Sequence, residues 1–382
     1  MRAPSFRWIA AASLAITAIG LASASQGASA SSSRVTESTM TLTMAKYTPV
    51  APPGGGTDDY HCTLLNPKLA RSAFIVSSDF EPGKLDYKEV HHAILFLVPP
   101  AEDSTVQTLN NKGKGWTCFG ETIIPKSNIQ LPGQTGKSNQ PSWLTGWAPG
   151  AGVQVAPAGT GTPFPAGSLV VMQIHYNMLE GKGPVQASLT LKTVPASTRL
   201  KPLSLDLFPA PPDIPCLAKY NNASHPLCQR ANAIKYLGQR FGQSAIDFDY
   251  GLEELCNRNP NKPPASDTTS CTWTYHRTAT ILEVMAHMHL TGAKMKITLT
   301  TLSRKKIVLL NDTNFNFDYQ RSYQLKTPVK AVPGDKVTVS CTYNPIIGEV
   351  NPQLRNLPKR FVVWGDGSSD EMCLALITTV AS

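Results

Sequence analysis

The sequence predicts an all-β protein, two β-sandwiches joined by a partly helical, disulfide-pinned connector. Three observations point there. Only 16% of residues are charged, while Thr, Val, Pro and Gly are plentiful, a balance that favours short strands and turns over long helices. Strand-like runs bounded by Pro and Gly fill two separate parts of the chain. Between them the texture changes, and apolar residues recur at helical spacing.

The elements follow in order. Arg2 and Arg7 flank an apolar stretch from Trp8 to about Ala24, and Ala28-Ser29-Ala30 is a small-x-small cleavage signal, so residues 1–30 read as a secretory signal peptide. The alternative is an uncleaved anchor, against which the Ala- and Ser-rich run is short. The mature chain of roughly 350 residues suggests two domains: residues 39–200, a connector over 201–270, and residues 271–382. Strands are expected at Ala73–Val76, Val90–Val98, Ser168–Tyr176 and Ala187–Thr193, with an irregular loop from Thr145 to Gly167 lying over a rim. A helix is expected from Cys228 to Phe241. Strands return at Thr280–Leu290, Ala293–Leu302, Lys305–Leu310, Lys336–Thr342 and Leu374–Val380.

The formal charge of +9 falls to +7 without the two leader arginines, and the basic residues are scattered, which argues against nucleic-acid binding. No later segment is apolar enough to span a bilayer, so stable membrane insertion after cleavage is not expected. The eight cysteines, Cys62, Cys118, Cys216, Cys228, Cys256, Cys271, Cys341 and Cys373, contain no CxxC pair and read as four structural disulfides of an exported protein. Their sequence alone leaves on the order of a hundred pairings open. The NxS/T sites at Asn222 and Asn311 matter only in a host that glycosylates exported proteins.

Five of the eight histidines fall in three strand-like motifs, VHHAILF (90–96), QIHYN (173–177) and HMHLTG (287–292). That concentration asks for a metal. Residues two apart on a strand face the same side, so His287 and His289 can clamp one ion. Adjacent His91 and His92 can share an ion only if a bulge or strand end re-aims one of them; otherwise one is buried and one exposed. His61, His225 and His276 read as ordinary surface or core histidines.

These three motifs, with PGDKVTVSCTYN (333–344) and GDGSSDEMC (365–373), resemble in order and distance the copper type II, ascorbate-dependent monooxygenases, the family of peptidylglycine and dopamine hydroxylases. The likeness runs from about Thr57 to Leu376, apart from the connector. It implies two antiparallel jelly rolls with one copper each, ascorbate as reductant and O2 as co-substrate, one oxygen atom entering a C–H bond of a small-molecule substrate. By the same resemblance, the electron-storing copper sits on His91, His92 and His175, and the oxygen-binding copper on His287, His289 and Met372. Without the family, Met372 would pass for core; as a ligand, its thioether suits Cu(I).

The resemblance further implies disulfides Cys62–Cys118 and Cys341–Cys373; the connector cysteines are expected to pair locally, Cys216 with Cys228 and Cys256 with Cys271, because short loops close most easily. Gln173, on the strand face of His175, is either a hydrogen-bonded support of the copper site or an ordinary glutamine. Tyr60, Tyr343 and Asn344 match family positions and can be purely structural. Where the peptide hydroxylase grips a carboxylate, this chain has Met285, Leu374 and Leu376, which favours a small, largely apolar or aromatic substrate over a glycine-extended peptide. Two other functions compete: a non-catalytic copper-binding or copper-delivery protein using the same ligands, and a disulfide-stapled adhesion module that holds no copper.

Overall fold

Alternation of β-branched with polar residues sets the strands: in Lys336–Tyr343 (KVTVSCTY) every second side chain is buried. The computed structural model describes residues 36–51, 56–83, 89–100, 103–118, 142–181 and 183–381. The expected leader lies outside them.

In chain order the first half carries β1 (Ser38–Thr43), β2 (Asp58–Leu65), β3 (Ala73–Glu81), β4 (Val90–Val98), helix α1 (Asp103–Leu109), β5 (Trp116–Thr117), β6 (Ser142–Trp147), β7 (Gln154–Val155), β8 (Thr160–Phe164), β9 (Leu169–Asn177) and β10 (Ser188–Pro195). Next come β11 (Lys201–Pro209) and the helices α2 (Arg230–Phe241) and α3 (Gln243–Leu255). The last part holds β12 (Thr268–Thr274), β13 (Ala279–His287), β14 (Gly292–Thr300), β15 (Lys306–Asp312), β16 (Tyr323–Ala331), β17 (Lys336–Tyr343), the single turn α4 (Ile347–Val350) and β18 (Leu374–Ala381). The all-β class is borne out.

Three sheets form two layers at each end. The five-stranded sheet β5-β2-β9-β4-β6 packs on β1, β10 and β3 through a core that includes Leu95, Met172, Ile174, Tyr176, Leu189 and Leu191. The four-stranded sheet β12-β17-β14-β15 packs on β11, β13 and β18 through Trp273, Ile281, Ile297, Leu299, Val339 and Ile377. The facing layers of both ends belong to one continuous sheet, ordered β1-β10-β3-β8-β11-β18-β13-β16. The join is narrow: β8 and β11 pair in parallel through Thr160–Lys201 and Gly161–Pro202. Gly161 is needed there, because a Cβ would come within 2.9 Å of the Phe74 side chain.

The structure departs from the sequence expectations in several places. Lys201–Pro209 falls in the expected connector, yet it is a full strand of the shared sheet; Leu203, Leu205 and Leu207 alternate, a pattern masked by the flanking prolines. A second helix, α3, follows α2 after Gly242, whose φ of 89° breaks the axis. The loop Thr145–Gly167 contains the short strands β7 and β8. Strand β16 was not anticipated.

The disulfides are Cys62–Cys118, Cys216–Cys228, Cys256–Cys271 and Cys341–Cys373, the four pairs expected. Among the described residues no helix is long and apolar enough to cross a membrane.

Candidate metal centre

The first group of histidines is built across three neighbouring strands. Tyr60 on β2 lies opposite His175 on β9, which lies opposite His92 on β4. The β4–β9 register slips between Val90 and His92, so His91 is the extra residue of a bulge, and both His91 and His92 are buried. Their ring centroids are 5.4 Å apart, and each lies close to His175, at 5.1 and 4.8 Å. Adjacent histidines therefore reach one place by the device their sequence required.

The His175 ring is held on all sides. Tyr60 stacks on it at 4.2 Å, the Tyr60 hydroxyl meets Nδ1 at 3.0 Å, and Asp58 meets Nε2 at 2.9 Å. The same hydroxyl donates to the Asp366 carbonyl at 2.8 Å and lies 3.4 Å from His92 Nε2. Burial raises the Tyr60 phenol well above its ordinary range, so it stays protonated. For Asp58, burial opposes ionisation, but the hydrogen bond and charge of His175 and the Ser368 amide outweigh it and bring the carboxyl down to about 2. Gln173, two residues before His175 on the same face of β9, reaches the Cys118 carbonyl with its amide at 3.4 Å.

The second group sits where β13 runs out. His287 ends the strand; His289 lies beyond it, in a turn fixed by one carboxylate. Glu371 accepts from the backbone N–H groups of His289, Thr291 and Met372 and from the Thr291 hydroxyl, at 2.7 to 3.2 Å. Burial pushes that carboxyl up to about 7 in spite of the four donors. His287 pairs through Nδ1 with Gln320 at 2.8 Å, and Gln320 in turn donates to the Phe317 carbonyl at 3.0 Å. Met372 is buried, and Tyr343 donates to its carbonyl at 3.3 Å.

Both groups meet. His92 and His287 are 5.7 Å apart, and Phe317 stacks on His91 at 3.8 Å while turning its edge to His289 at 6.2 Å. The loop 365–372 fastens the halves together: the Ser368 amide donates to Asp58 at 2.9 Å, and Arg240 and Arg360 clamp Asp370. Gly367 has to be glycine in this loop, since a Cβ would lie 2.7 Å from the Asp370 carboxylate and 3.1 Å from that of Asp58.

The donor chemistry suits copper at most of these positions. Burial, with neighbouring imidazoles adding to it, holds His91 and His92 well below the usual histidine range. Burial likewise brings His287 down to about 4 and His289 to about 3. Neutral imidazole is the ligand form. Buried and, among the described residues, without a partner are His91 Nε2, His92 Nδ1 and both nitrogens of His289, an arrangement that costs roughly 1–3 kcal/mol per orphaned group unless something binds there. Two facts run the other way: both His175 nitrogens are engaged, and among the described residues no three His, Cys, Asp or Glu side chains form a ready coordination shell.

Two of the other histidines are paired elsewhere. His61 stacks on Tyr47 at 3.5 Å and meets the Lys114 carbonyl, and His225 pairs with Asn222. Sequence reasoning missed Asp58, Glu371, Phe317 and Gln320. No motif marks them, although Glu371 stands inside GDGSSDEMC.

A cleft of about 1400 Å³ opens over His92, His287 and Met372. Its floor is the shared sheet, where Met285 lies opposite Leu376 and Leu376 opposite Leu207; His287 lies opposite Leu374 in the next row. Met285, Leu374 and Leu376 are thus brought beside the second histidine group.

Solved structures similar in outline include an allantoicase (10% identity, 81% of this chain and 78% of that one, TM-score 0.19). The allantoicase of Saccharomyces cerevisiae (7%, 84% and 77%, TM-score 0.21) and a fucolectin from striped bass, Morone saxatilis (8%, 90% and 97%, TM-score 0.19), are others. At those scores they carry no argument. Residues 259–379, which hold His287, His289 and Met372, match the family described as copper type II ascorbate-dependent monooxygenase, C-terminal domain. The motif resemblance is therefore supported over the C-terminal third of the chain, which is similar to the C-terminal domain of the copper type II, ascorbate-dependent monooxygenases.

Proposed function

We propose that the protein is a secreted, two-copper, ascorbate-dependent monooxygenase that hydroxylates a C–H bond of a small, largely apolar molecule. The observation that carries this is the meeting of five motif histidines, from both halves of the chain, at the base of an apolar cleft. His91, His92 and His175 would hold one ion; His287, His289 and Met372 the other. The two sandwiches are read as jelly rolls, over 39–200 and 271–382, joined by 201–270. The four disulfides fit an oxidising, extracytoplasmic setting.

Copper, when bound, supplies one-electron redox chemistry and the activation of O2. The reaction balances as R–H, O2, two electrons and two protons giving R–OH and water, with ascorbate as the electron donor. The chain's own part is positional. Burial keeps the imidazoles of His91, His92, His287 and His289 neutral and their lone pairs free of competing protons. Gln320 fixes the His287 ring, so its remaining nitrogen, Nε2, is the one left for a ligand. Glu371 sets the turn that carries His289 and the amide of Met372. His175 enters a coordination shell only by releasing Asp58 from Nε2 or Tyr60 from Nδ1. Leu374, Leu376 and Met285 make the floor beside His287 apolar.

Elemental analysis after dialysis should find two copper ions per chain. A metabolite screen should then find a product heavier by one oxygen, formed only with copper, O2 and ascorbate. Copper bound at this stoichiometry with no oxygen insertion across the screen would favour a copper-binding protein, and absence of bound copper would sink both readings.

A further inference from the structure

The cleft floor carries a carboxylate, unpaired among the described residues, that the chemistry above does not use. Glu283, Met285 and His287 alternate along β13 and all line the cleft, so Glu283 faces the same space as the copper-site imidazole. Three residues of strand lie between them, roughly 13 Å between Cα atoms. Between the two ends lie Met285, Leu376 and Leu207, an uninterrupted apolar strip across three strands.

Glu283 has no hydrogen-bond or ion-pair partner among the described residues; burial alone raises its carboxyl. The nearby cations are already engaged. Arg277 is bound to both carboxylate oxygens of Asp206 and to Thr379, and Arg321 lies over the rings of Tyr319 and Tyr323. A half-buried carboxylate at the edge of an apolar strip is costly as it stands and becomes favourable when a cation docks against it.

We propose that the cleft takes an organic cation with an extended apolar body, its ammonium head on Glu283 and its far end presented at His287. This rests on the monooxygenase reading for what happens at the far end, but not for the binding itself. The span sets a length: a carbon about 10 Å from the nitrogen reaches the imidazole, which matches an extended chain of about eight carbons. A short amine would reach only one end, and a carboxylate of the same length would be repelled.

The test is calorimetric and uses the copper-free full chain with n-octylamine, 1-octanol and octanoate as probes. Octylamine should bind about tenfold or more tighter than octanol, with octanoate weakest. Glu283→Gln should abolish the preference for the amine while leaving octanol binding within about twofold, which also shows that the variant is folded. Leu376→Ala should weaken amine and alcohol alike. Equal binding of amine and alcohol by the wild type, no binding of octylamine, or a preference that survives Glu283→Gln overturns the proposal. Turnover is read separately, by whether octylamine gains oxygen at a carbon far from nitrogen when copper and ascorbate are added. Selective binding without oxygen gain would count against the monooxygenase reading alone, and oxygen gain by neutral molecules without amine preference against this proposal alone.

Discussion

The two histidine groups are held in opposite ways. The first lies in the middle of a sheet buried on both faces, every residue of β9 from Leu169 to Asn177 being buried, and polar partners occupy His175 completely. The second hangs from a strand end, and among the described residues His289 has no partner on either nitrogen. Each group leans on a buried carboxylate, but Asp58 faces an imidazole whereas Glu371 faces only N–H and O–H donors. A site built into a sheet can hold one imidazole rigid and fully paired before any metal arrives, leaving one orphaned nitrogen on each of His91 and His92; the turn-built group leaves both nitrogens of His289 orphaned until a ligand binds.

The largest expected effect separates the groups by metal. His289→Ala and Met372→Ile should each lose tight binding of one copper, keep the other, and lower oxygen insertion by more than about 100-fold. Met372→Ile should cost less than about 1.5 kcal/mol in stability, because the volume is nearly conserved. His175→Ala should lose or weaken the first-half copper only. Copper counting with X-ray absorption for sulfur scattering decides: loss of both ions in any of these variants would mean that the cluster acts as one site.

Next in size are the disulfides beside each group. Cys62–Cys118 spans 56 residues and Cys341–Cys373 spans 32. Loop-closure entropy gives about 4 kcal/mol for either and a difference of about 0.5 kcal/mol, the longer loop mattering more. Replacing each pair by alanines and measuring urea unfolding checks this. A far larger cost for Cys341–Cys373 would show that the turn-built site depends on its staple for native packing as well.

The two carboxylates give opposite pH signs in the copper-free protein. Asp58 is held at about 2, below its ordinary value, so its contribution is present above pH 3.8 and is lost as pH falls towards 2. Glu371 is held at about 7, above its ordinary value, so stability is full below pH 4.5 and declines as pH rises through 7. Each swing is on the order of 2–3 kcal/mol. Asp58→Asn should therefore cost most at neutral pH, while Glu371→Gln should gain on the wild type between pH 4.5 and 7. Unfolding curves across that range would break the contrast if Glu371→Gln lost ground instead, meaning that four donors outweigh burial.

Much of this site was legible in the sequence, and the reasons differ by residue. His91 and His92 could share a site only through a bulge or a strand end, and a bulge is there. The HxH pair was legible from spacing, although His289 lies past the strand end and is positioned by a turn, not by strand alternation. Met372 was visible only through the family likeness. Asp58, Phe317 and Gln320 were not legible, because each is a single ordinary residue whose partner lies 33 to 226 positions away. The shared sheet was hidden for a similar reason: its halves are joined by two residue pairs at β8 and β11, too few to leave a pattern.

The smallest expected effect concerns Gln320, among the described residues the one polar side chain that orients an imidazole of the turn-built group as Asp58 and Tyr60 do in the sheet. Its amide is buried, accepts nothing from solvent, and is itself fixed by the Phe317 carbonyl, so it sets which His287 nitrogen faces the cleft. Gln320→Leu keeps the volume roughly and removes the bond. Copper affinity at the second group should fall by about tenfold, with the first group unchanged and the fold intact. Gln320→Glu should hold the ring through the same oxygen and restore most of the affinity, since a carboxylate accepts from Nδ1–H as an amide carbonyl does. Competition titrations with a Cu(I) chelator read both variants. If Gln320→Leu bound copper as the wild type does, the turn-built group would need no support on its imidazole, and its difference from the sheet-built group would lie in Glu371 alone.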